Sequence, residues 1–524
     1  MDHVRHGPVA TGSLTAGPQS GRRIAAGRVL RHAPVALALA AAVAMRLANA
    51  PCTDVSWLLT LGEKMLGGAT PYVDFVEVNP PASILLYLPA ILLARIVDVR
   101  PETMVVWLVF VGAGASLALT GRILARAGLR RPGDPWLPAV AVFLLLVLPD
   151  YAFAQREHVA LIAVLPLLAV YAVRAAGRAP GLGPSLLAGL GGGVAVIVKP
   201  HFALGLALPM ALVLYRTPFG AGAWLRAAFD RANRTVVAVV GVYVVAILAF
   251  FPAFVTAALP LAAAVYVPVG SSISIMLLNP SGMIAALALG FAAVNRPQLR
   301  DPVTTVLALA ATGFWLAMVL QMKGWPYHGY PAMALALLAG ARSVADRWAA
   351  AVDLDAGRLP VVGRLVAPAV GLAVLCGGAA TWLDARLELP ALTQAVRELG
   401  PPRPRIAFIG GDLSVGHPLV RDVDGDWVGH ACSNWISGGA AILLAKLAAD
   451  DPRRTALQAY ARMDRARQAA DIAEGRPDIV LVEDEAWMGW ALRDPAVGTA
   501  LAPFRTVRRV DGVSIMTRSA TGTD

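Results

Sequence analysis

The stretch APVALALAAAVAMRLANAPCTDVSW, residues 33–57, decides how the rest of the chain is read. Residues 33–50 form an apolar run of about bilayer-crossing length. Four residues beyond it stands a carboxylate, Asp54. The chain then passes Gly67-Gly68 to Pro71-Tyr72-Val73-Asp74-Phe75-Val76-Glu77 and Pro80-Pro81. An ionisable group at that depth is costly unless it is paired or hydrated, so it usually has work to do. A carboxylate at the mouth of a helix bundle, followed by further carboxylates and aromatic rings, is the layout of a reaction site at a membrane surface. The plainer alternative is that Asp54 only caps a helix over residues 55–66, as a good N-cap residue would.

Composition sets the class. Of 524 residues, 57% are hydrophobic and 15% charged, and the mean hydropathy is +0.63. A soluble chain of this length could not hide so much apolar surface, so an all-α polytopic membrane protein is expected. The net charge of +11 does not point to nucleic acid. It comes from Arg clustered in short loops between apolar runs: Arg22, Arg23 and Arg28; Arg122, Arg126, Arg130 and Arg131; Arg174 and Arg178; Arg342 and Arg347. That is the positive-inside pattern of cytoplasmic loops. Residues 22–50 resemble a signal peptide with an Ala48-Asn49-Ala50 site, but Pro51 disfavours cleavage, and a retained signal-anchor is expected. Residues 1–32 read as a cytoplasmic basic tail, unstructured over 1–20. The three cysteines, Cys52, Cys376 and Cys432, make no disulfide framework.

Candidate spans run near 33–50, 82–97, 103–121, 135–150, 159–176, 183–198, 202–216, 235–254, 280–294, 302–321, 330–344 and 365–383. Counting all twelve as crossings puts the Arg122–Arg131 loop, and most later basic loops, outside. Removing 82–97, which is short, follows Pro80-Pro81 and ends near Arg95, repairs every loop together. The expected fold is therefore about 11 transmembrane helices over 33–384, with juxtamembrane helices in a first external loop, 51–102. Other external segments are 150–158, 199–201, 255–279 and 321–330. Residues 385–524 read as an extracytoplasmic α/β domain. It has strands at 405–409 and 478–482, a helical stretch from Gly439 to Gly475, and a hairpin over 506–518 turning at Asp511-Gly512.

With that topology the unusual residues gather on one face: Gln155-Arg156-Glu157-His158, then Lys199-Pro200-His201, then Lys323-Gly324-Trp325-Pro326-Tyr327-His328. Only four lysines exist, and Lys199 and Lys323 lie in these turns. Singly, each residue has a bland role: snorkelling lysines, an aromatic belt, an Arg156–Glu157 ion pair. Together with Asp54, Asp74 and Glu77 they suit a chemistry. Cations suit a phosphate leaving group, a carboxylate a general base or a metal, aromatic rings a sugar face.

At this point the chain resembles the GT-C superfamily of membrane glycosyltransferases, which take sugars from polyprenyl-phosphate donors. The likeness lies in the first 220 residues: Asp54 after the first span, Gly67-Gly68-Ala69-Thr70-Pro71-Tyr72, Asn79-Pro80-Pro81, a basic loop, Arg156-Glu157-His158 and Lys199-Pro200. The order is similar to that in the mannosyltransferases of GPI-anchor assembly, and Lys323–His328 looks like a later external loop of bacterial members. The resemblance implies a multipass hexosyl- or pentosyltransferase of the inner or plasma membrane. Its N-terminus would be cytoplasmic, its donor a polyprenyl-phosphate sugar and its acceptor an external cell-envelope glycan or lipid. Asp54 maps onto the family's catalytic acidic residue. Asp74, Glu77, Arg156, Glu157, His158, Lys199, His201, Lys323, Trp325, Tyr327 and His328 are substrate-binding candidates. The paired-acid metal motif of some members is not obvious here, leaving a divalent ion an open alternative. Two other readings stand beside this one, a polymerase or ligase of lipid-linked glycans and a transporter or flippase of lipid-linked sugars. Charges at one face and no repeated half favour the enzyme over the transporter.

Overall fold

The computed structural model describes residues 18–49, 51–130, 136–294, 300–352 and 389–519. Eleven long helices occupy the first part: α1 (Pro18–Ala48), α2 (Thr53–Leu66), α3 (Pro101–Arg126), α4 (Trp136–Leu146), α5 (Arg156–Ala175), α6 (Leu182–Val198), α7 (Ala203–Arg216), α8 (Arg231–Phe250), α9 (Pro280–Val294), α10 (Pro302–Gln321) and α11 (Tyr330–Val352). Ten of the eleven expected spans thus coincide with a helix, and the eleventh, 365–383, lies outside the described residues together with Cys376. By length and composition, four helices could cross a bilayer: α3, α5, α8 and α10. The bent pair formed by His32–Ala48 and α2 would make a fifth. Among the other expected crossings, α4, α6 and α9 are shorter apolar helices.

The structure adds detail to several sequence expectations. α1 begins at Pro18, within the expected basic tail. The 82–97 helix is two pieces, Ala82–Leu85 and Leu88–Val97, separated where Pro89 opens the second. The expected external segment 255–279 is largely helical. It holds the wide helical turns Phe254–Ala258 and Ala262–Tyr266, then Ile273–Leu278.

Close packing is built into the sequence of α6, whose Gly189-Leu190-Gly191-Gly192-Gly193 run lies between α5 and α8. A Cβ on Gly189 would stand 2.5 Å from the Ala232 carbonyl oxygen, and one on Gly193 2.6 Å from Val239 Cβ. Without a driving force from water, small residues that let backbones approach are what hold such helices together.

The bundle has two chemically different ends. At one, Arg178 donates to the Ala127 carbonyl, Arg342 to the Leu129 carbonyl and to Asp301 (2.8 Å), Arg174 pairs with Asp230 (3.0 Å), and Arg216 donates to the Ala175 carbonyl. The arginine-rich loops therefore meet there. The starts of α2 and α5, the end of α6 and the turn after α10 meet at the other.

The C-terminal part is a small α/β unit: α12 (Pro390–Leu399), β1 (Arg405–Ile409), β2 (Asp426–Trp427), α13 (Trp435–Lys446), α14 (Arg453–Gly475), β3 (Ile479–Val482), β4 (Phe504–Val510) and β5 (Val513–Arg518). The sheet order is β2-β1-β3-β5-β4; β1 is parallel to β2 and β3, while β5 is antiparallel to β3 and β4. The hairpin turns at Asp511-Gly512, both with positive φ (52° and 87°), as a two-residue turn requires. The expected helical stretch from Gly439 to Gly475 is present as α13 and α14. Leu447 is extended and Pro452 restarts the chain, since proline cannot continue a helix through that position. This unit packs on the bundle end that carries Asp54: the Val76 amide donates to the His430 carbonyl (2.7 Å), and Lys64 to the Gly429 carbonyl (3.0 Å).

Candidate active site

α2 starts at Thr53 behind Cys52, so Asp54 lies inside the first turn, and the capping expectation over residues 55–66 is corrected. Its carboxylate turns to other elements. One oxygen accepts from Gln155 Nε2 (2.7 Å), from the Tyr327 hydroxyl (3.1 Å) and from Arg156 Nη2 (3.4 Å). Gln155 and Arg156 open α5, and Tyr327 lies in the short Pro326–Gly329 turn leading into α11. Gln155, quoted with its turn in the sequence, was not among the substrate-binding candidates. An uncharged amide carries no signal there, and its role emerges only from the fold, where it bridges Asp54 and Cys52 Sγ (3.1 Å).

Next to this cluster, Glu157 is fully buried and paired with Lys199 at the end of α6. His328 Nε2 stands 3.6 Å from the same Glu157 oxygen. Burial, followed by the nearby Lys199 and Arg156 charges, keeps His328 well below its ordinary pKa, so the ring is neutral. Burial pulls the Lys199 ammonium down as well, opposed by Glu157. Three buried atoms of the two pairs have no hydrogen-bond partner: Arg156 Nε, Arg156 Nη1 and Glu157 Oε2. Unmade hydrogen bonds of buried charged groups are expensive, so the two Arg156 nitrogens are poised to donate to, and Glu157 Oε2 to accept from, a substrate's polar groups. Trp325, half exposed, stacks on Tyr327 with ring centroids 5.8 Å apart and planes at 26°.

The remaining candidates are placed differently. Glu77 is buried and accepts from Trp57 Nε1 (2.7 Å) and the Asn79 amide (2.9 Å), bracing the loop beside Arg156. Asp74 is exposed and closes its own turn on the Thr70 amide (2.7 Å). His158 accepts from the Ala154 amide (2.9 Å) and donates to the Leu145 carbonyl (2.6 Å), inside the helix packing. His201 packs edge-on against Phe202 at 5.0 Å, its Nε2 buried without a partner. Lys323 donates to the Tyr266 (2.5 Å) and Val269 (2.7 Å) carbonyls and sits 3.8 Å over the Tyr266 ring. Burial lowers its pKa to about 8.

Among the described residues no three His, Cys, Asp or Glu side chains are spaced to hold a metal ion, and the nearest oxygens of Asp54 and Glu157 already face cations and hydrogen-bond donors. Cys52 and Cys432 are free thiols.

No protein-family model and no curated protein matches the chain. Solved structures do. ArnT from Cupriavidus metallidurans bound to undecaprenyl phosphate aligns with a TM-score of 0.52 at 13% identity, over 93% of this chain and 98% of that one. Its apo form gives 0.51 at 14% identity over 95% and 99%. The archaeal oligosaccharyltransferase AglB from Archaeoglobus fulgidus, in complex with an inhibitory peptide and a dolichol-phosphate, aligns more loosely at a TM-score of 0.42 and 12% identity, over 94% and 74%. From bundle to terminal sheet, this chain shares its fold with ArnT.

Proposed function

We propose that the protein transfers a sugar from a polyprenyl-phosphate donor to an external cell-envelope glycan or lipid acceptor. The observation that carries this reading is one carboxylate, Asp54, shared by Arg156, Gln155 and Tyr327 at the end of the bundle away from the arginine loops. The charges lie at that end rather than midway along the helices, which favours transfer chemistry over transport. ArnT, with the same fold, was crystallised with undecaprenyl phosphate, which supports a polyprenyl-phosphate donor.

Asp54 takes the proton of an acceptor hydroxyl as that oxygen bonds to the anomeric carbon. The bond from that carbon to the phosphate oxygen breaks in the same step, and the anomeric centre inverts. Negative charge develops on the leaving polyprenyl phosphate, where the free Arg156 Nε and Nη1 and the Lys199 ammonium stabilise it. Tyr327 and Trp325 offer a ring face to the sugar. Lys323 and Glu77 hold the surrounding loops, and Asp74, His158 and His201 support them. The bundle, residues 33–384, carries the reaction at the external face of the membrane, with the N-terminus in the cytoplasm and residues 385–524 outside.

The test combines two measurements. Lipid-linked sugars and envelope glycans are compared by mass spectrometry in cells with and without the gene. The purified protein is then given a labelled polyprenyl-phosphate sugar matching the lipid that accumulates. Accumulation of the donor in its absence and transfer in vitro are expected. An unchanged lipid and glycan profile overturns the proposal.

A further inference from the structure

The helix that presents Asp54 is held from behind by the C-terminal unit. Ser56, Thr60 and Glu63 recur along α2 at the spacing of one helix face, and each meets a residue from 417–421. Ser56 Oγ and His417 Nδ1 are 3.2 Å apart. Arg421 Nη1 donates to Thr60 Oγ1 (3.4 Å) and Glu63 Oε2 (2.6 Å), and its Nη2 donates to Glu63 Oε1 (3.1 Å). Arg421 Nε also binds Glu102 at the start of α3, while Arg100 donates to the Arg421 carbonyl (2.8 Å). The Arg421 side chain is only 9% exposed and Glu102 11%, while Glu63 keeps 36% of its side chain open to solvent. The Trp57 ring stands edge-on to His417 (5.4 Å) and Trp427 (6.4 Å).

A helix of 14 residues has little stability of its own, so its axis is set by what it packs on. Glu63 lies nine residues after Asp54, roughly 13.5 Å along the axis at 1.5 Å per residue. Arg421 therefore acts on Asp54 only through the helix. A bidentate guanidinium fixes both the distance and the plane of its carboxylate partner, which a lysine could not do.

We propose that the C-terminal unit is a clamp on α2, with Arg421 as a positioning residue that aims Asp54 at Gln155, Arg156 and Tyr327. This rests on the transferase reading for its kinetic arm. Displacing a reacting group by about 1 Å can cost up to about 10²-fold in rate.

The experiment is a double-mutant cycle on the full-length protein, with Arg421→Ala, Asp54→Asn and the pair, at matched folded levels. Arg421→Ala is expected to lower kcat by roughly 10- to 10²-fold with donor KM little changed. In the Asp54→Asn background it should add almost nothing, since no base remains to be aimed. Arg421→Lys should recover part of the rate. Hydrogen exchange of the 53–66 amides provides a readout free of catalysis, and Arg421→Ala and Glu63→Gln should both speed it. An equal fold-loss in the wild-type and Asp54→Asn backgrounds, or unchanged exchange over 53–66, overturns the clamp. If the wild type transfers nothing, the transferase reading falls, and the exchange measurement still decides whether α2 is clamped.

Discussion

Asp54→Asn isolates charge and proton acceptance from shape. Asparagine keeps one carbonyl oxygen that can accept from Gln155 or Tyr327, and the helix start is unaffected because Cys52, not Asp54, occupies the cap position. What disappears is the proton acceptor and the negative partner of Arg156 at 3.4 Å. Loss of a general base removes roughly 10²–10⁴ in rate, or about 2.7–5.4 kcal/mol of barrier. The stability cost is smaller. The lost contact is long and Asp54 is 18% exposed, so the loss should stay below the ~1.5–3 kcal/mol of a buried hydrogen bond to a charged group. The variant should thus remain folded and bind donor while turning over at least about 10²-fold more slowly. The assay is transfer of a labelled sugar from a purified polyprenyl-phosphate donor, with folded protein matched by size-exclusion chromatography. A rate within a few-fold of wild type at matched folded levels would refute the assignment and move the search to Glu157.

The two site lysines should behave differently. Lys199→Met leaves Glu157 buried and unpaired, which should cost about 3–5 kcal/mol and abolish transfer; Lys323→Met, which frees two carbonyls in a loop, should lower thermal stability while leaving donor KM unchanged. Thermal melts and donor titrations of the two variants check this. His430 gives a pH signature: burial opposes its charge, but hydrogen bonds to Asp464 (3.2 Å) and Asp471 (2.5 Å) raise its pKa from 6.5 to about 9. A raised pKa stabilises the fold fully below about pH 6.5, and that contribution is lost as pH climbs through about 9. The melting temperature should therefore fall over that interval in wild type and less in His430→Gln. Cysteines placed at Val97–Arg100 should react with an impermeant reagent in intact cells; reaction only after permeabilisation would invert the proposed orientation.

The sequence made the bundle legible because hydropathy and arginine placement are local signals with a fixed physical meaning. The same logic brought Asp54, Arg156, Glu157, Lys199, Tyr327 and His328 to one end, and the structure joins all six into two adjacent clusters. What was not legible depends on partners far away in the chain. Gln155 becomes informative only once it faces Asp54, and Arg421 only once it meets Glu63, 358 positions earlier. Lys323 shows the same dependence: its scarcity reads as a phosphate ligand, and the fold adds two backbone carbonyls and a ring face that receive its ammonium. The helical character of Gly439–Gly475 was legible from its Ala and Arg, while the break between Lys446 and Arg453 emerges only in the fold.

The arrangement also links proton transfer to leaving-group stabilisation in the proposed reaction. Before reaction, the two carboxylates and two cations of the site nearly balance: Asp54 with Arg156, and Glu157 with Lys199, beside a neutral His328. When Asp54 takes the acceptor proton its charge is gone, and Arg156 loses its counter-ion at the moment the phosphate gains charge. Two further Arg156 donors, Nε and Nη1, have no other partner to leave. The guanidinium is thereby handed from carboxylate to phosphate without moving, so its attraction to the phosphate strengthens only as the reaction proceeds. Interactions that grow toward the transition state are those that accelerate a reaction rather than merely tighten binding. On this account Arg156 cannot be replaced by a residue of equal charge alone. A lysine would keep the charge but lose the geometry that lets one group face both Asp54 and the phosphate.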